Sequence, residues 1–303
     1  MTQQFIKKLE KIVKVEQILV EEPMSRHITF RVGGPADVLV QPSTSQVAGI
    51  IALCKEEQMP YTIIGNGSNL LVSDQGISGV VIELSGQASD ICIEGCRVFA
   101  QAGAMLSKVA AMAAKAGLTG MEFASGIPGT IGGAVVMNAG AYGGEMSQIV
   151  KKVTVLDGTG KEQCLSVEEM AYAYRHSCIM EHEYIVLEAE LELKEGNIEE
   201  ITAHMRKLAA QRVEKQPLEY PSAGSTFKRP EGYFAGKLIM DAGLKGFTIG
   251  GAQVSEKHCG FVINRDHATA ADVDTLMKHI QAEVRKRFDV TLEPEVRKLG
   301  DFE

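Results

Sequence analysis

The sequence predicts an α+β protein in two parts. Three observations carry this. Strand-like runs follow one another directly through the first two thirds, the texture turns helical near residue 195, and an uncharged glycine-rich stretch at 124–144 interrupts the strand-rich part. With 303 residues, 45% hydrophobic and 23% charged, the chain has enough apolar material for two cores.

Taken in order, residues 3–19 mix apolar and Lys/Glu positions at helical spacing. STSQVAGIIALCKEEQMP (43–60) carries a Ser/Thr cap, an apolar helical face and a stop at Pro60. YTIIG (61–65), GVVIEL (79–84) and CRVFAQAG (96–103) read as strands, and MLSKVAAMAAKAG (105–117) as a helix closed by glycine. KKVTVLDGTGK (151–161) is a strand then a turn, and EYIVLEAELEL (183–193) is a long strand. Past residue 195, NIEEITAHMRKLAAQRVEKQP (197–217) starts at an Asn cap and runs helically to Pro217. Helices follow at 233–243 and 269–288, with CGFVIN (259–264) as a strand between them. A boundary therefore falls near residues 195–215, and strands succeed one another too directly for a doubly wound sheet.

The net charge of −8 excludes a general nucleic-acid binder. Residues 201–303 hold 16 Lys+Arg against 14 Asp+Glu, a mildly cationic third that suits a small anionic ligand. Six cysteines lack a CxxC pair, and Cys92 and Cys96 have no partners to complete a zinc site, so no metal is expected and the thiols read as reduced. MTQQFIKKLEKIVK has no apolar signal core and no run reaches spanning length, so a cytoplasmic location without a membrane span is expected.

GNGSNL (65–70) looks like a dinucleotide fingerprint but replaces its third glycine with Leu70. LLVSDQGISGVVIEL follows as strand and turn where the Rossmann motif needs a helix. No GxxxxGK[ST] occurs either. What remains is a tight loop (Gly65, Asn66, Gly67, Ser68, Asn69) able to bind an anion through backbone N–H groups. SGIPGTIGG repeats that chemistry with Ser125, Gly126, Ile127, Pro128, Gly129, Thr130, Gly132 and Gly133. Two such loops can clasp a diphosphate from two sides. Seven glycines in 124–144 exceed what ordinary turns need.

RVGGPAD (31–37), IIGNGSNLLV (63–72), SGIPGTIGGAVVMNAGAYGG (125–144), AYRHS (173–177), YPSAGSTFK (220–228), AGKLIMDAGLKG (235–246), VSEKHCGFVIN (254–264) and LEPEVR (292–297) together resemble the UDP-N-acetylenolpyruvoylglucosamine reductase family. The resemblance implies a two-lobed FAD-binding region of the vanillyl-alcohol-oxidase (PCMH) type at 1–200, with lobes at about 1–84 and 85–200. It implies a C-terminal α+β substrate-binding domain at 201–303. It also implies non-covalent FAD on the two glycine loops, NADPH as co-substrate, and reduction of UDP-N-acetylglucosamine enolpyruvate to UDP-N-acetylmuramate, a peptidoglycan precursor. Hydride reaches the enolpyruvyl methylene carbon, and the resulting enolate takes a proton at the neighbouring carbon.

By the same resemblance Arg175 stabilises the substrate carboxylate, Glu295 donates a hydrogen bond to the enolate when protonated, and Ser225 donates the proton to carbon. Tyr174 and Lys215 match positions that bind the substrate or the nicotinamide nucleotide. Lys257 and His258 are candidates for the same cleft, with a structural role open for His258, and Asn138 reads as a turn residue closing its loop on its own backbone. The chain leaves no room after Arg175 for the tyrosine-bearing insertion of the family's other class. His176 stands where the family more often has an acidic residue, and Met240 is a similar departure. The competing readings are another FAD oxidoreductase of this fold and a catalytically silent flavin or nucleotide-sugar binder, which the set Arg175, Ser225 and Glu295 disfavours.

Overall fold

The computed structural model describes residues 3–302, and the chain divides into two compact units. The first takes Met1–Val20, Val38–Asn66 and Gly79–Arg212, and the second takes Glu21–Asp37, Gly67–Ser78 and Val213–Glu303. The changeover late in the chain thus falls after Arg212, and the second unit also draws two segments from the N-terminal third.

Two sheets build the first unit. A four-stranded sheet has the order Ile18–Pro23, Pro35–Val40, Ile77–Glu83, Tyr61–Ile64, its last two strands parallel. Ile77–Glu83 lies between two neighbours and is buried at every position except Ser78, which explains its nearly unbroken apolar run. Helix Val47–Glu56 buries Val47, Ile50, Ile51, Leu53 and Cys54, and the Ser43–Gln46 capping box opens the turn before it. The second sheet is antiparallel, in the order Glu162–Ser166, Val150–Leu156, Ile185–Glu192, Arg97–Gln101, Ile91–Glu94. Helix Leu106–Lys115 buries Leu106, Val109, Ala110, Ala113 and Ala114 in the same core as Val98, Val153 and Ala189.

In the second unit, strands Thr248–Ile249, Ala252–Val254 and Val262–Asn264 form an antiparallel sheet that contacts helix Ala270–Phe288. That helix buries Val273, Leu276, Met277, Ile280 and Val284, an i, i+3, i+4, i+7, i+11 stripe. Thr269 and Asp272 form its capping box, and the Asp74 carboxylate accepts the N–H groups of Ala270 and Ala271 at 2.8 and 2.9 Å. Leu70–Val72 pairs in parallel with Arg297–Leu299, joining segments more than 220 residues apart in sequence.

Three expectations need correcting. The helix expected over 3–19 ends at Leu9, whose carbonyl accepts from the N–H groups of both Ile12 and Val13. Gln17, buried and bonded to the Gln41 carbonyl at 2.8 Å, then draws the chain into a 3-10 turn and strand Ile18–Pro23. The strand expected over 259–264 begins only at Val262. The glycine-rich stretch contains a short helix, Ile131–Val136, that its composition hides. Gly132 makes that helix possible: a Cβ there would lie 2.9 Å from the Ala102 Cβ, and its N–H donates to the Ala102 carbonyl at 2.8 Å.

Candidate active site

The first unit brings two glycine loops together. Asn66 Nδ2 donates to the Pro128 carbonyl at 2.6 Å, and a Cβ at Gly65 would lie 2.3 Å from Thr130 Oγ1. Within SGIPGTIGG the residues divide by role. The Ser125 hydroxyl donates to the Glu122 carbonyl at 2.8 Å, the Ile127 N–H donates to the Ala124 carbonyl, and Gly132 packs on Ala102, so these shape the loop. Among the described residues, the N–H groups of Gly126, Gly129 and Thr130 have no acceptor, and neither does the buried Thr130 hydroxyl. Gly133 is exposed beside them. Gly126 is exposed, but Gly129 and Thr130 are buried, and buried donors without partners cost about 1–3 kcal/mol each and are tolerated where a ligand supplies the acceptors. A diphosphate supplies several. Gly126, Gly129 and Thr130 are the residues of this loop that could hold such a group.

Asn138 closes its loop onto the Ser147 backbone, as expected, and also reaches beyond it. It is buried in the left-handed region (φ 42°), its Nδ2 donates to the Ala173 carbonyl at 3.1 Å, and its Oδ1 accepts from the Ser147 N–H at 2.9 Å. Ser177 Oγ donates to the Val136 carbonyl at 2.7 Å. The glycine-rich segment thereby pins both ends of a tight turn in which Ala173 and His176 exchange backbone hydrogen bonds, 3.2 Å each. Tyr174 and Arg175 sit at its tip. Arg175 adopts φ 54°, in the left-handed region that residues other than glycine seldom enter. Its guanidinium lies 5.4 Å from the centroid of the exposed Tyr174 ring and donates to the Gly140 carbonyl at 3.3 Å. His176 meets Glu181, Nε2 to Oε1, at 2.9 Å.

In the second unit Ser225 and Glu295 come together on adjoining segments. The Glu295 N–H donates to the Thr226 carbonyl, and the Lys228 N–H to the Glu293 carbonyl, each at 2.9 Å. Thr226 is buried, and its Oγ1 accepts from the Val262 N–H at 2.9 Å, which anchors Ser225 to the sheet while leaving it exposed. Gly224, at φ 76° with open space around it, lets the chain turn in front of that serine. Asn69 holds the other segment: Nδ2 donates to the Glu295 carbonyl at 3.0 Å and its own carbonyl accepts from the Arg297 N–H at 2.9 Å. Expected as a cofactor contact, Asn69 here fixes Glu295. Gly67 also belongs to this unit (φ 59°), with a Cβ position 2.3 Å from the His27 carbonyl oxygen; Ser68 follows it, half-buried.

Lys215 is exposed at the end of helix Ile198–Lys215. Lys257 Nζ donates to the Val213 carbonyl at 2.7 Å. His258 takes the structural role: Nδ1 accepts from the Gly260 N–H at 3.1 Å, the ring meets Phe261 edge-on at 5.0 Å, and burial pushes its pKa down. Met240 is exposed on helix Ala235–Asp241. Among the described residues no group of His, Cys, Asp or Glu could hold a metal ion, and no helix is long and apolar enough to cross a membrane.

Sequence reasoning passed over Arg212. It lies on the same face of helix Ile198–Lys215 as the buried Ile201 and Leu208, at i, i+7 and i+11, where a core-facing side chain is apolar. A cation on that stripe was the available signal.

The glycine loop with open donors agrees with the class that the comparisons show, an FAD-binding oxidoreductase. The FAD binding domain family model matches residues 35–166, and the structure of p-cresol methylhydroxylase superposes with a TM-score of 0.50 at 15% identity, over 65% of this chain and 44% of that one, a likeness of fold. The model for the C-terminal domain of UDP-N-acetylenolpyruvoylglucosamine reductase matches residues 216–299. Relatives bearing that enzyme's name include one from Agathobacter rectalis, 52% identical over 100% of both chains, and one from Clostridioides difficile, 55% identical over 96% of each. The crystal structure of the Thermus caldophilus reductase superposes with a TM-score of 0.79 at 35% identity, over 93% of this chain and 98% of that one. The chain belongs to the UDP-N-acetylenolpyruvoylglucosamine reductase family.

Proposed function

We propose that this protein is the FAD-dependent reductase that uses NADPH to convert UDP-N-acetylglucosamine enolpyruvate into UDP-N-acetylmuramate for peptidoglycan synthesis. The observation that carries the reading is the pairing of Thr226, next to Ser225, with Glu295, in a chain alike over its full length to reductases of that name. The glycine loops of the first unit are read as the FAD site, and residues 201–303 as the substrate-binding domain. The location that goes with this is the cytoplasm, where nucleotide substrates and NADPH are available.

The bound flavin supplies hydride chemistry. The chain's own residues provide charge stabilisation and a proton. Arg175 engages the substrate carboxylate, whose charge grows as the double bond is reduced, and a planar guanidinium matches that carboxylate in two-point contact. The protonated Glu295 carboxyl donates a hydrogen bond to the enolate oxygen. The Ser225 hydroxyl gives its proton to the adjacent carbon, a downhill transfer because an enolate carbon is more basic than an alkoxide is when held in a polar site. Tyr174 and Lys215 bind the nucleotide-bearing ends of substrate and NADPH.

The test is anaerobic. The holoprotein is expected to be yellow, to bleach with NADPH, and to recolour when enolpyruvyl-UDP-N-acetylglucosamine is added. Bleaching without recolouring removes the cell-wall substrate. A protein that cannot be loaded with FAD removes the flavin site as well.

A further inference from the structure

The geometry points to Arg212 as the cationic anchor of the dinucleotide diphosphate, a role the two glycine loops do not themselves supply. This rests on the FAD reading of those loops and adds a residue to it. A Cβ placed on Gly126 would stand 3.0 Å from one terminal nitrogen of Arg212 and 3.2 Å from its Cδ, so the side chain lies along the bare backbone of SGIPG. A side chain at Gly126 would crowd the arginine where it now lies. The guanidinium is half-buried, and burial pulls its pKa below the usual arginine value. No acidic group among the described residues forms an ion pair with it.

The carboxylate of the neighbouring turn is already engaged. Glu122 accepts from Thr119 Oγ1 at 2.6 Å and from the Gly120 N–H at 2.8 Å. Those bonds outweigh its burial and hold its pKa below the ordinary range, so it is ionised but committed elsewhere. A desolvated guanidinium without a counter-anion is an unfavourable arrangement in an isolated chain. It becomes favourable when an anion arrives.

The anion is identified by its surroundings. Arg212 lies against the same loop whose Gly126, Gly129 and Thr130 N–H groups and Thr130 hydroxyl lack acceptors. Open donors along one loop and a planar fork laid against its Gly126 match a diphosphate, whose oxygens accept several hydrogen bonds and two-point contact from arginine. The pyrimidine edge of an isoalloxazine offers fewer acceptors and less charge. Arg212 therefore acts on retention of the cofactor and not on its redox chemistry.

The test compares full-length wild-type protein with Arg212→Gln and Arg212→Lys, each stripped of flavin and titrated with FAD, followed by a redox titration at saturating FAD. Arg212→Gln is expected to raise the FAD dissociation constant about 10- to 100-fold, the loss that goes with a charge-assisted contact. Arg212→Lys is expected to recover part of that loss, and the midpoint potential of bound flavin is expected to stay at the wild-type value in both. An unchanged dissociation constant in Arg212→Gln overturns the proposal, as does Arg212→Lys binding no better than Arg212→Gln. A lowered midpoint potential overturns it too, because the cation would then face the ring system. If Arg212→Gln does not fold, Arg212→Met, apolar and nearly as long on the buried stripe, takes its place with the same expectations. Failure of wild-type protein to bind FAD would strike the flavin reading itself, a distinct outcome.

Discussion

A hydroxyl that protonates carbon is used once per turnover, after the cofactor has been reduced. Ser225→Ala is therefore expected to leave bleaching by NADPH at its wild-type rate while slowing turnover about 10²- to 10⁴-fold; stopped-flow absorbance separates the two, and equal slowing of both half-reactions would remove Ser225 from the proton transfer. Gly65 makes a different kind of prediction. An added Cβ at 2.3 Å from Thr130 Oγ1 must displace buried atoms, so Gly65→Ala should cost about 1–3 kcal/mol in urea denaturation. Combining it with Thr130→Ala should recover part of that, since the obstructing hydroxyl is gone. At this scale residue type and motif name Arg175, Ser225 and Glu295 as candidates, and their roles belong to the proposed function. The longer reach of Asn138 and the placements of Asn69 and Arg212 were not readable. Their partners, at Ala173, Glu295 and Gly126, lie far off in the chain, and only the fold reveals them.

Among elements, helix Ala270–Phe288 was legible from its cap, its apolar stripe and its basic last turn. The helix expected over 3–19 failed because Gln17 makes buried tertiary hydrogen bonds that helical periodicity does not encode. Helix Ile131–Val136 was hidden because its glycines serve close packing, not turns. Helix Ala270–Phe288 also carries a pH-dependent contribution to stability. Asp274 is buried, which alone would raise its pKa, but hydrogen bonds from Lys298 and Lys278 outweigh burial and hold it below the ordinary 3.8. A carboxylate with a depressed folded pKa contributes stability above its unfolded value and loses it as pH falls through the folded one. Asp274→Asn should thus lower stability by about 1.5–3 kcal/mol at pH 7, with the gap to wild type closing below about pH 4. Denaturation curves at pH 7, 5 and 3 check this, and a gap that does not change with pH would contradict it.

For the whole molecule, binding of FAD to the folded chain alone must raise its stability. At free FAD one hundred times the dissociation constant the gain is about 2.7 kcal/mol. Thermal melts across a flavin titration should move upward accordingly, and a melt indifferent to FAD would argue against a site formed by folded structure. The α+β class was legible from the succession of strands. The threading was not, because no local pattern says that residues 21–37 and 67–78 join residues 213–303 in one unit.

That threading has a consequence for the birth of the protein. Strand Leu70–Val72 leaves the ribosome well over a hundred residues ahead of Arg297–Leu299, the strand it pairs with. At translation rates of about 5–20 residues per second it waits on the order of ten seconds or more with its backbone unpaired and its apolar Leu70, Leu71 and Val72 uncovered. The first unit's late segment, Gly79–Arg212, emerges in one piece during that interval and can collapse early. The second unit cannot. Nascent chains of this protein are therefore expected to depend on chaperone shelter for one short stretch near residue 70, and a ribosome paused past residue 212 should still present that stretch to a protease that the finished protein resists.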